Sequence, residues 1–188
     1  MASRPRHDTR DPRAARARAL KIIFQADVRG ETGEEALRRL VGDADGRAIL
    51  DDLDLGVDTG DDVEAVRRQA RQDAEAETTD TAVEVPGLDG FTRQLVLGVS
   101  EHRDEIDRLI GDHARRWSVD RMPVVDRSVL RLATYELLYE ATSPAVVINE
   151  ALELAKALST EASGRYVNGV LESVRKDIAA RREDRPGA

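Results

Sequence analysis

Apolar residues recur at helical spacing in two stretches of this chain and predict an all-α protein. Within residues 11–41 and 88–180, apolar side chains follow one another at intervals of three and four positions. This spacing places them on one face of a helix. No stretch alternates between apolar and polar residues over the length of a strand. We therefore expect a compact helical bundle without a sheet.

Start and stop signals predict the first two helices. An acid followed by proline favours a helix N-terminus, because the acid caps the first turn and proline fits the first helical position. This pair predicts a helix from about Asp11 to Arg29, which Gly30 ends. Thr32 and Glu35 have the spacing of a capping box and predict a short second helix.

The second stretch predicts four further helices. The helical repeat runs through residues 88–114, with a bend expected near Gly98. Pro123 opens the next helix, residues 142–144 break the pattern, and a turn at 159–164 precedes the last helix. Proline and clusters of small polar residues interrupt helices, so these signals set the expected boundaries.

The segment between the two helical parts is acidic and poor in large apolar residues. Residues 30–85 contain 17 acids and 6 bases. Such a composition buries little apolar surface, which favours a mobile insertion with at most one marginal helix, at 62–77. We therefore divide the chain into a flexible basic arm at 1–10, an N-terminal helical part at 11–41, an acidic insertion at 42–87, a C-terminal helical part of the same domain at 88–180 and a frayed tail at 181–188.

The charge is distributed unevenly and makes the N-terminal end a candidate polyanion-binding segment. The chain has a formal net charge of −8, yet residues 1–21 hold seven bases and two acids. Arg10, Arg13 and Arg16 recur every three residues, and Arg13 and Arg16 are expected to share one helical face. Arginine binds phosphate in a bidentate way and stacks on bases, so this segment could grip RNA. The alternative is a basic tail that only keeps the chain soluble.

Two further candidates stand at predicted helix starts. Tyr166 follows the small residues 163–164 and Arg165. A stacking ring beside a phosphate contact is a common way to hold single-stranded RNA, whereas the alternative is a tyrosine of the core. Asp126 and Arg127 stand at a helix start that we expect to be exposed, where an acid also favours the helix dipole.

Several kinds of chemistry have no support in the sequence. The chain has no cysteine, which excludes disulfides, thiolate zinc sites and a cysteine nucleophile. It has no glycine-rich phosphate loop and no metalloprotease motif. His7, His102 and His113 lie on separate segments, so solvated or edge histidines are the simpler interpretation. We predict a protein that is not an enzyme and has no cofactor and no metal.

The sequence also gives an expectation for the cellular compartment. No apolar run approaches the length needed to span a bilayer, and the N-terminus carries charge where a signal peptide needs an apolar segment. We therefore expect a cytoplasmic protein with no membrane contact.

Five motifs, taken in order, resemble the NusB family of bacterial transcription antitermination factors. The likeness covers residues 11–41 and 88–178, and the acidic insertion lies outside it. The motifs are A-R-x-x-A-x-x-x-I-F-Q-x-D at 15–27, F-x-x-x-L-V-x-G-V at 91–99, V-D-R-x-x-L-R-L-A-x-Y-E-L at 125–137, I-N-E-A-x-E-L-A-K at 148–156 and Y-V-N-G-V-L at 166–171.

This resemblance implies a fold and a set of partners. The fold is a helical protein of two packed helical subdomains. The partners are the boxA element of nascent ribosomal RNA, the ribosomal protein NusE, and RNA polymerase carrying other Nus factors. The activity is the suppression of premature termination. The apolar helices could bury their faces within one chain or across a homodimer.

The resemblance also implies binding residues, matched motif by motif. For RNA it implies, together with Arg10 of the basic arm, the residues Arg13, Arg16, Lys21, Arg165 and Tyr166. For NusE it implies the aromatic Phe24 and the acid Asp126.

Two other classes of protein remain as alternatives. A helical DNA-binding repressor needs a recognition helix soon after the first helix, where residues 42–62 are acidic and would repel phosphate. A stand-alone RNA-binding domain of the kind associated with rRNA methyltransferases is the other alternative. Such an enzyme needs a nucleotide-binding domain with a glycine-rich motif downstream, and none occurs up to residue 188.

Overall fold

The computed structural model describes residues 11–42, 85, 88–114 and 117–183, and within these ranges it is helical without strands. The prediction of an all-α protein is therefore confirmed. The elements are α1 (Pro12–Arg29), α2 (Gly33–Gly42), α3 (Gly90–Glu101), α4 (Arg103–His113), a 3-10 turn (Val119–Arg121), α5 (Val124–Tyr139), α6 (Pro144–Leu158) and α7 (Glu161–Glu183).

Several expectations fall outside the described residues. These are the flexible arm at 1–10, the insertion at 43–84 and 86–87 with its marginal helix at 62–77, and the last five residues. Two residues of the predicted insertion, 42 and 85, are described, and both belong to the helical structure or its core. Residue 42 closes α2, and Val85 is buried with 7% of its surface exposed.

The described residues fall into two compact units. The first contains α1, α2 and α3 as far as residue 100, and the second contains residues 101–114 and 117–183. No helix in the described part of the chain is long and apolar enough to cross a membrane.

Helix α1 begins and ends where its local signals predict. The Asp11 carboxylate accepts hydrogen bonds from the backbone N–H groups of Arg13 at 2.9 Å and Ala14 at 3.2 Å. Gly30 ends the helix in the left-handed conformation, with φ of 74°, which costs glycine little because it has no side chain. The buried face of α1 consists of Ala15, Ala19, Leu20, Ile22, Ile23 and Ala26.

The predicted capping box opens α2. The Glu35 carboxylate accepts from the Thr32 N–H at 2.6 Å, and the Thr32 hydroxyl accepts from the Glu35 N–H at 3.2 Å. Gly33 then meets α3, where its N–H donates to the Ser100 hydroxyl at 2.8 Å. A side chain at Gly33 would stand 2.9 Å from Ser100 Cβ and from the Val96 carbonyl oxygen. The close approach of Gly33 to α3 leaves no space for a side chain, which explains why glycine occupies this position.

The expected long helix at 88–114 is two helices, and the break lies at His102 instead of near Gly98. Gly98 is buried inside α3, which continues past it. His102 leaves the helical conformation, and its ring stacks on Tyr139 with the ring centroids 4.1 Å apart. The break thus coincides with a ring contact between α5 and the start of α4, which helical periodicity does not register.

In the second unit, α5 packs against α4, α6 and α7. Residues 124–137 of α5 are all buried, including charged side chains. Arg131 forms a bidentate ion pair with Asp107 of α4 at 2.7 and 2.8 Å. Arg127 donates to the backbone carbonyls of Asp120 and Met122 at 3.2 and 3.3 Å. These bonds compensate the burial of both guanidinium groups.

Helix α7 is longer than expected at both ends. It begins at Glu161, so the turn predicted at 159–164 is shorter, and it continues to Glu183. Residues 181–183 are therefore helical, which corrects the expected fraying there. Arg182 donates to the carbonyl oxygens of Leu137 and Leu138 at 3.0 and 3.2 Å. This contact holds the end of α7 to the end of α5.

Candidate RNA and partner interface

The cations of α1 lie in different surroundings. Arg13 is exposed and Lys21 is half-buried. Arg16 is only 5% exposed, and its guanidinium carbon lies 5.5 Å from the centre of the Phe91 ring on α3. The expectation that Arg13 and Arg16 present one common face for RNA is therefore wrong, because Arg16 faces the packed interior. Arg10 lies outside the described residues.

Arg18, which the sequence did not single out, ties α1 to the start of α3. Its guanidinium donates to the Asp89 carboxylate at 2.6 and 3.2 Å. Asp89 also accepts from the Thr92 N–H at 2.8 Å and from the Thr92 hydroxyl at 2.6 Å. Burial raises the pKa of Asp89, but the hydrogen bonds from Thr92 and Arg18 outweigh burial and hold it below its usual range. This arginine is thus engaged in the fold.

Lys21 and Phe24 stand three residues apart on α1, and both are half-buried. Side chains at this spacing are neighbours on one side of a helix. The residue matched to RNA and the residue matched to NusE therefore share one side of α1.

The start of α7 presents Arg165 and Tyr166. The Arg165 side chain is 77% exposed, and its nearest acid is Glu161, one turn earlier, at 4.0 Å. Such an exposed pair contributes little. Tyr166 is half-buried, and its hydroxyl is buried without a hydrogen-bond partner in the described structure. The Arg165 side chain is thus open to solvent, and Tyr166 is partly exposed.

Asp126 is buried, which corrects the expectation of an exposed helix start. Only 3% of Asp126 and 5% of Arg127 are exposed. Burial raises the pKa of Asp126, and hydrogen bonds from the hydroxyls of Ser163 and Ser159 lower it by less. One carboxyl oxygen of Asp126 is left without a partner among the described residues.

Asp126 and Tyr166, which the sequence places with different partners, belong to one polar cluster. Burial and then the negative charge of Asp126 raise the pKa of Tyr166. The Ser159 hydroxyl donates to the Ser163 hydroxyl at 2.8 Å across the turn between α6 and α7. Sequence reasoning missed both serines, although a hydroxyl-rich turn next to a helix start was the available signal.

A line of hydrogen bonds joins α4 to α7. His113 contacts the Ser173 hydroxyl at 2.9 Å through Nδ1 and the Asp177 carboxylate at 3.1 Å through Nε2. Ser173 lies inside α7. Asp177 is held in addition by Arg181 at 2.7 and 2.9 Å. The described residues contain no group of three metal-ligating side chains.

Comparison with known proteins connects this architecture to one family. The model of the NusB family matches residues 48–176. This match includes much of the acidic insertion, which the five motifs had left outside the resemblance. The transcription antitermination proteins NusB of Saccharopolyspora erythraea and Streptomyces griseus are 38% and 39% identical to the chain. Both alignments cover 84% of this chain, and they cover 81% and 86% of those proteins.

Solved structures agree with this connection. NusB of T. maritima is 34% identical, with a TM-score of 0.54, over 90% of this chain and 94% of that one. The antitermination factors NusB and NusE in complex with dsRNA provide another neighbour. It is 24% identical, with a TM-score of 0.54, over 88% of this chain and 96% of that one, and this likeness concerns the fold alone.

These comparisons give no support to a DNA-binding repressor or to a methyltransferase-associated domain. The family model spans more than half of the chain. The two relatives are more than 30% identical over most of their length. The chain belongs to the NusB family.

Proposed function

We propose that this protein is an RNA-binding transcription antitermination factor. It binds boxA of nascent ribosomal RNA together with the ribosomal protein NusE, and it helps RNA polymerase carrying other Nus factors to read through terminators. Family membership supports the antitermination role. A NusB of the same fold has been solved with NusE and dsRNA, which supports this choice of partners.

The observation that carries the RNA-binding proposal is the pairing of Arg165 with Tyr166. An exposed guanidinium and a partly exposed tyrosine follow each other in sequence at the start of α7. Arginine supplies phosphate attraction, and a ring supplies a stacking surface for an unpaired base. Arg13 and Lys21 on α1 would add phosphate contacts, and Arg10 belongs to the same basic segment of the sequence.

Arg16 takes a different role in this proposal. Its guanidinium packs over Phe91 in the first unit and is nearly inaccessible. An inaccessible cation is poorly placed to neutralise a phosphate. We assign it to the packing of α1 on α3, and the RNA contacts of α1 to Arg13 and Lys21.

The NusE contact is assigned to Phe24. Phe24 is half-buried on α1, and partly exposed aromatic residues are common anchors of protein interfaces. Asp126 is too deeply buried to touch a partner in this conformation. We therefore propose that Asp126 acts on partner binding only through the surroundings of Tyr166.

The proposed activity is binding without covalent chemistry, with no cofactor, and it takes place in the cytoplasm, where RNA polymerase works. Binding two partners at once raises affinity because the second contact is made within one assembly. The self-association expected from the apolar helices is a separate proposal, tested by the molar mass of the purified protein in solution.

Transcription in vitro tests the antitermination role. Purified RNA polymerase, the other Nus factors and NusE would transcribe a template that carries boxA upstream of a terminator. We expect this protein to increase the fraction of transcripts that pass the terminator, and a scrambled boxA to abolish the increase. Equal read-through on both templates would contradict the proposal.

A further inference from the structure

Trp117 exposes a large apolar side chain immediately before the 3-10 turn. It is 51% exposed, and it is the only tryptophan of the chain. A half-exposed indole keeps a large apolar area in water, and burial of that area against another molecule is favourable. Single exposed hydrophobic residues are common on protein surfaces, so exposure alone does not make Trp117 a binding residue. Its surroundings supply the further evidence.

Hydrogen bonds hold the backbone around Trp117 in one conformation. The Trp117 N–H donates to the Ala114 carbonyl at 3.3 Å. The Arg121 N–H donates to the Ser118 carbonyl at 2.9 Å and closes the 3-10 turn. The indole is therefore carried by an ordered segment.

The buried Arg127 side chain holds the same turn from the interior. Its guanidinium donates to the carbonyl oxygens of Asp120 and Met122 at 3.2 and 3.3 Å. Met122 is only 3% exposed and anchors the end of the turn in the core. A surface that is fixed before binding loses little conformational entropy when a partner arrives. The turn is thus suited to present side chains to another molecule.

The exposed charges of the turn favour a protein partner over RNA. Asp120 and Arg121 are both exposed, and opposite charges side by side give little net attraction for a polyanion. Arg121 forms no ion pair with any described residue, so its guanidinium is available to a partner. Tryptophan and arginine are the residue types that dominate the binding energy of protein interfaces.

RNA is the rival occupant. Arg115 and Arg116 directly precede Trp117 in the sequence and lie outside the described residues. Cations beside an aromatic ring also suit single-stranded nucleic acid. The experiment therefore has to separate the two partners.

We propose that Trp117 and Arg121 form a contact surface for NusE, in addition to the contact assigned to Phe24. The indole enters an apolar pocket of NusE, and the guanidinium binds a carboxylate or carbonyl oxygen at the rim of that pocket. Arg127 is a positioning residue, because it holds the turn without touching the partner. This inference rests on the proposed binding of NusE and assigns part of that contact to the second unit.

The single tryptophan reports on this contact directly. When purified NusE binds, the emission of Trp117 should shift to shorter wavelength, and quenching by acrylamide should decrease, because the indole leaves water. The complex formed by the Trp117→Phe variant supplies the signal that comes from NusE itself. The same titration with boxA RNA alone should leave the acrylamide quenching of Trp117 unchanged.

Substitution measures how much the contact contributes. Trp117→Ala should weaken the binding of NusE by about tenfold or more in isothermal titration calorimetry, as the loss of an aromatic hot spot does. Its melting temperature should fall by no more than about 2–4 °C, because half of the residue is already exposed. Val146→Ala is the matched control. Val146 lies on α6 and is 47% exposed, and its truncation should leave the affinity for NusE unchanged.

The outcomes separate this inference from the function on which it rests. If NusE binds the wild type and Trp117→Ala equally, and acrylamide quenching of Trp117 does not change, NusE binding stands and this surface is refuted. If NusE does not bind the wild type at all, the proposed partner fails and the inference fails with it. If boxA RNA alone protects Trp117, and Trp117→Ala weakens the binding of RNA but not of NusE, the surface contacts RNA and the inference is wrong.

Discussion

The guanidinium of Arg16 lies 5.5 Å from the centre of the Phe91 ring, joining α1 to α3 inside the first unit. Only 5% of Arg16 and 8% of Phe91 are exposed. A desolvated cation over an aromatic ring stabilises a fold by up to about 2 kcal/mol. This arginine therefore contributes to stability, although it belongs to the basic segment that the sequence assigns to RNA.

Substitution of Arg16 should lower stability. We expect Arg16→Ala to reduce the free energy of unfolding by about 1–2 kcal/mol, because it removes the contact with Phe91 and leaves unfilled space. Urea denaturation followed by circular dichroism measures the change. Arg13→Ala is the control on the same helix and should change stability by less than about 0.5 kcal/mol. Equal stability of the two variants would contradict this account of Arg16.

Substitution of Arg13 should change the salt dependence of RNA binding. Each phosphate neutralised on single-stranded RNA contributes about −0.7 to the slope of log K against log salt. Arg13→Ala should therefore make the slope less negative by about 0.7. Fluorescence anisotropy with boxA RNA over a series of salt concentrations measures it. If the slope is unchanged, Arg13 does not contact a phosphate.

Asp126 should stabilise the protein when it is protonated. Burial raises its pKa in the folded state, so its contribution is fully present below the unfolded pKa and is lost as the pH rises through the folded pKa. At neutral pH, Asp126→Asn should therefore increase the free energy of unfolding, by about 1 kcal/mol. The gain should shrink as the pH is lowered toward 4. Equal gains at both pH values would show that the effect does not come from ionisation.

The substitution Asp126→Asn should also change the pKa of Tyr166. The Asp126 carboxylate raises the pKa of Tyr166, after the larger effect of burial. We expect Asp126→Asn to lower that pKa without restoring the usual value. Ultraviolet titration of the phenolate reports it, and the difference from Tyr166→Phe assigns the signal to this tyrosine. Burial and the Glu105 hydrogen bond raise the pKa of Tyr139 to about 12.

Local chemistry explains why most helix ends could be predicted from the sequence. Asp11, Gly30 and the Thr32–Glu35 pair act through atoms within a few residues of themselves, so their effect is readable without the fold. The break at His102 coincides with a stack on Tyr139, which lies far along the chain. Periodicity alone therefore placed the bend at the wrong residue.

Burial of charged residues was the main obstacle to predicting the site. Arg16 shares the helix face of Ala19 and Leu20, three and four residues later, and that spacing was a usable sign that it points inward. The burial of Asp126 could not be predicted from its spacing, because α5 is buried on all sides along most of its length. In such a helix polar residues are buried together with apolar ones. The position of Asp126 at the start of the helix therefore did not indicate that it is exposed.

Sequence-selective binding of RNA tests the central claim most directly. A gel shift would compare boxA RNA with a scrambled RNA of the same composition, with and without purified NusE. We predict that boxA binds at least about tenfold more tightly than the scrambled RNA, and that NusE tightens boxA binding further because two contacts are made in one assembly. Equal affinity for both RNAs, unchanged by NusE, would contradict the account.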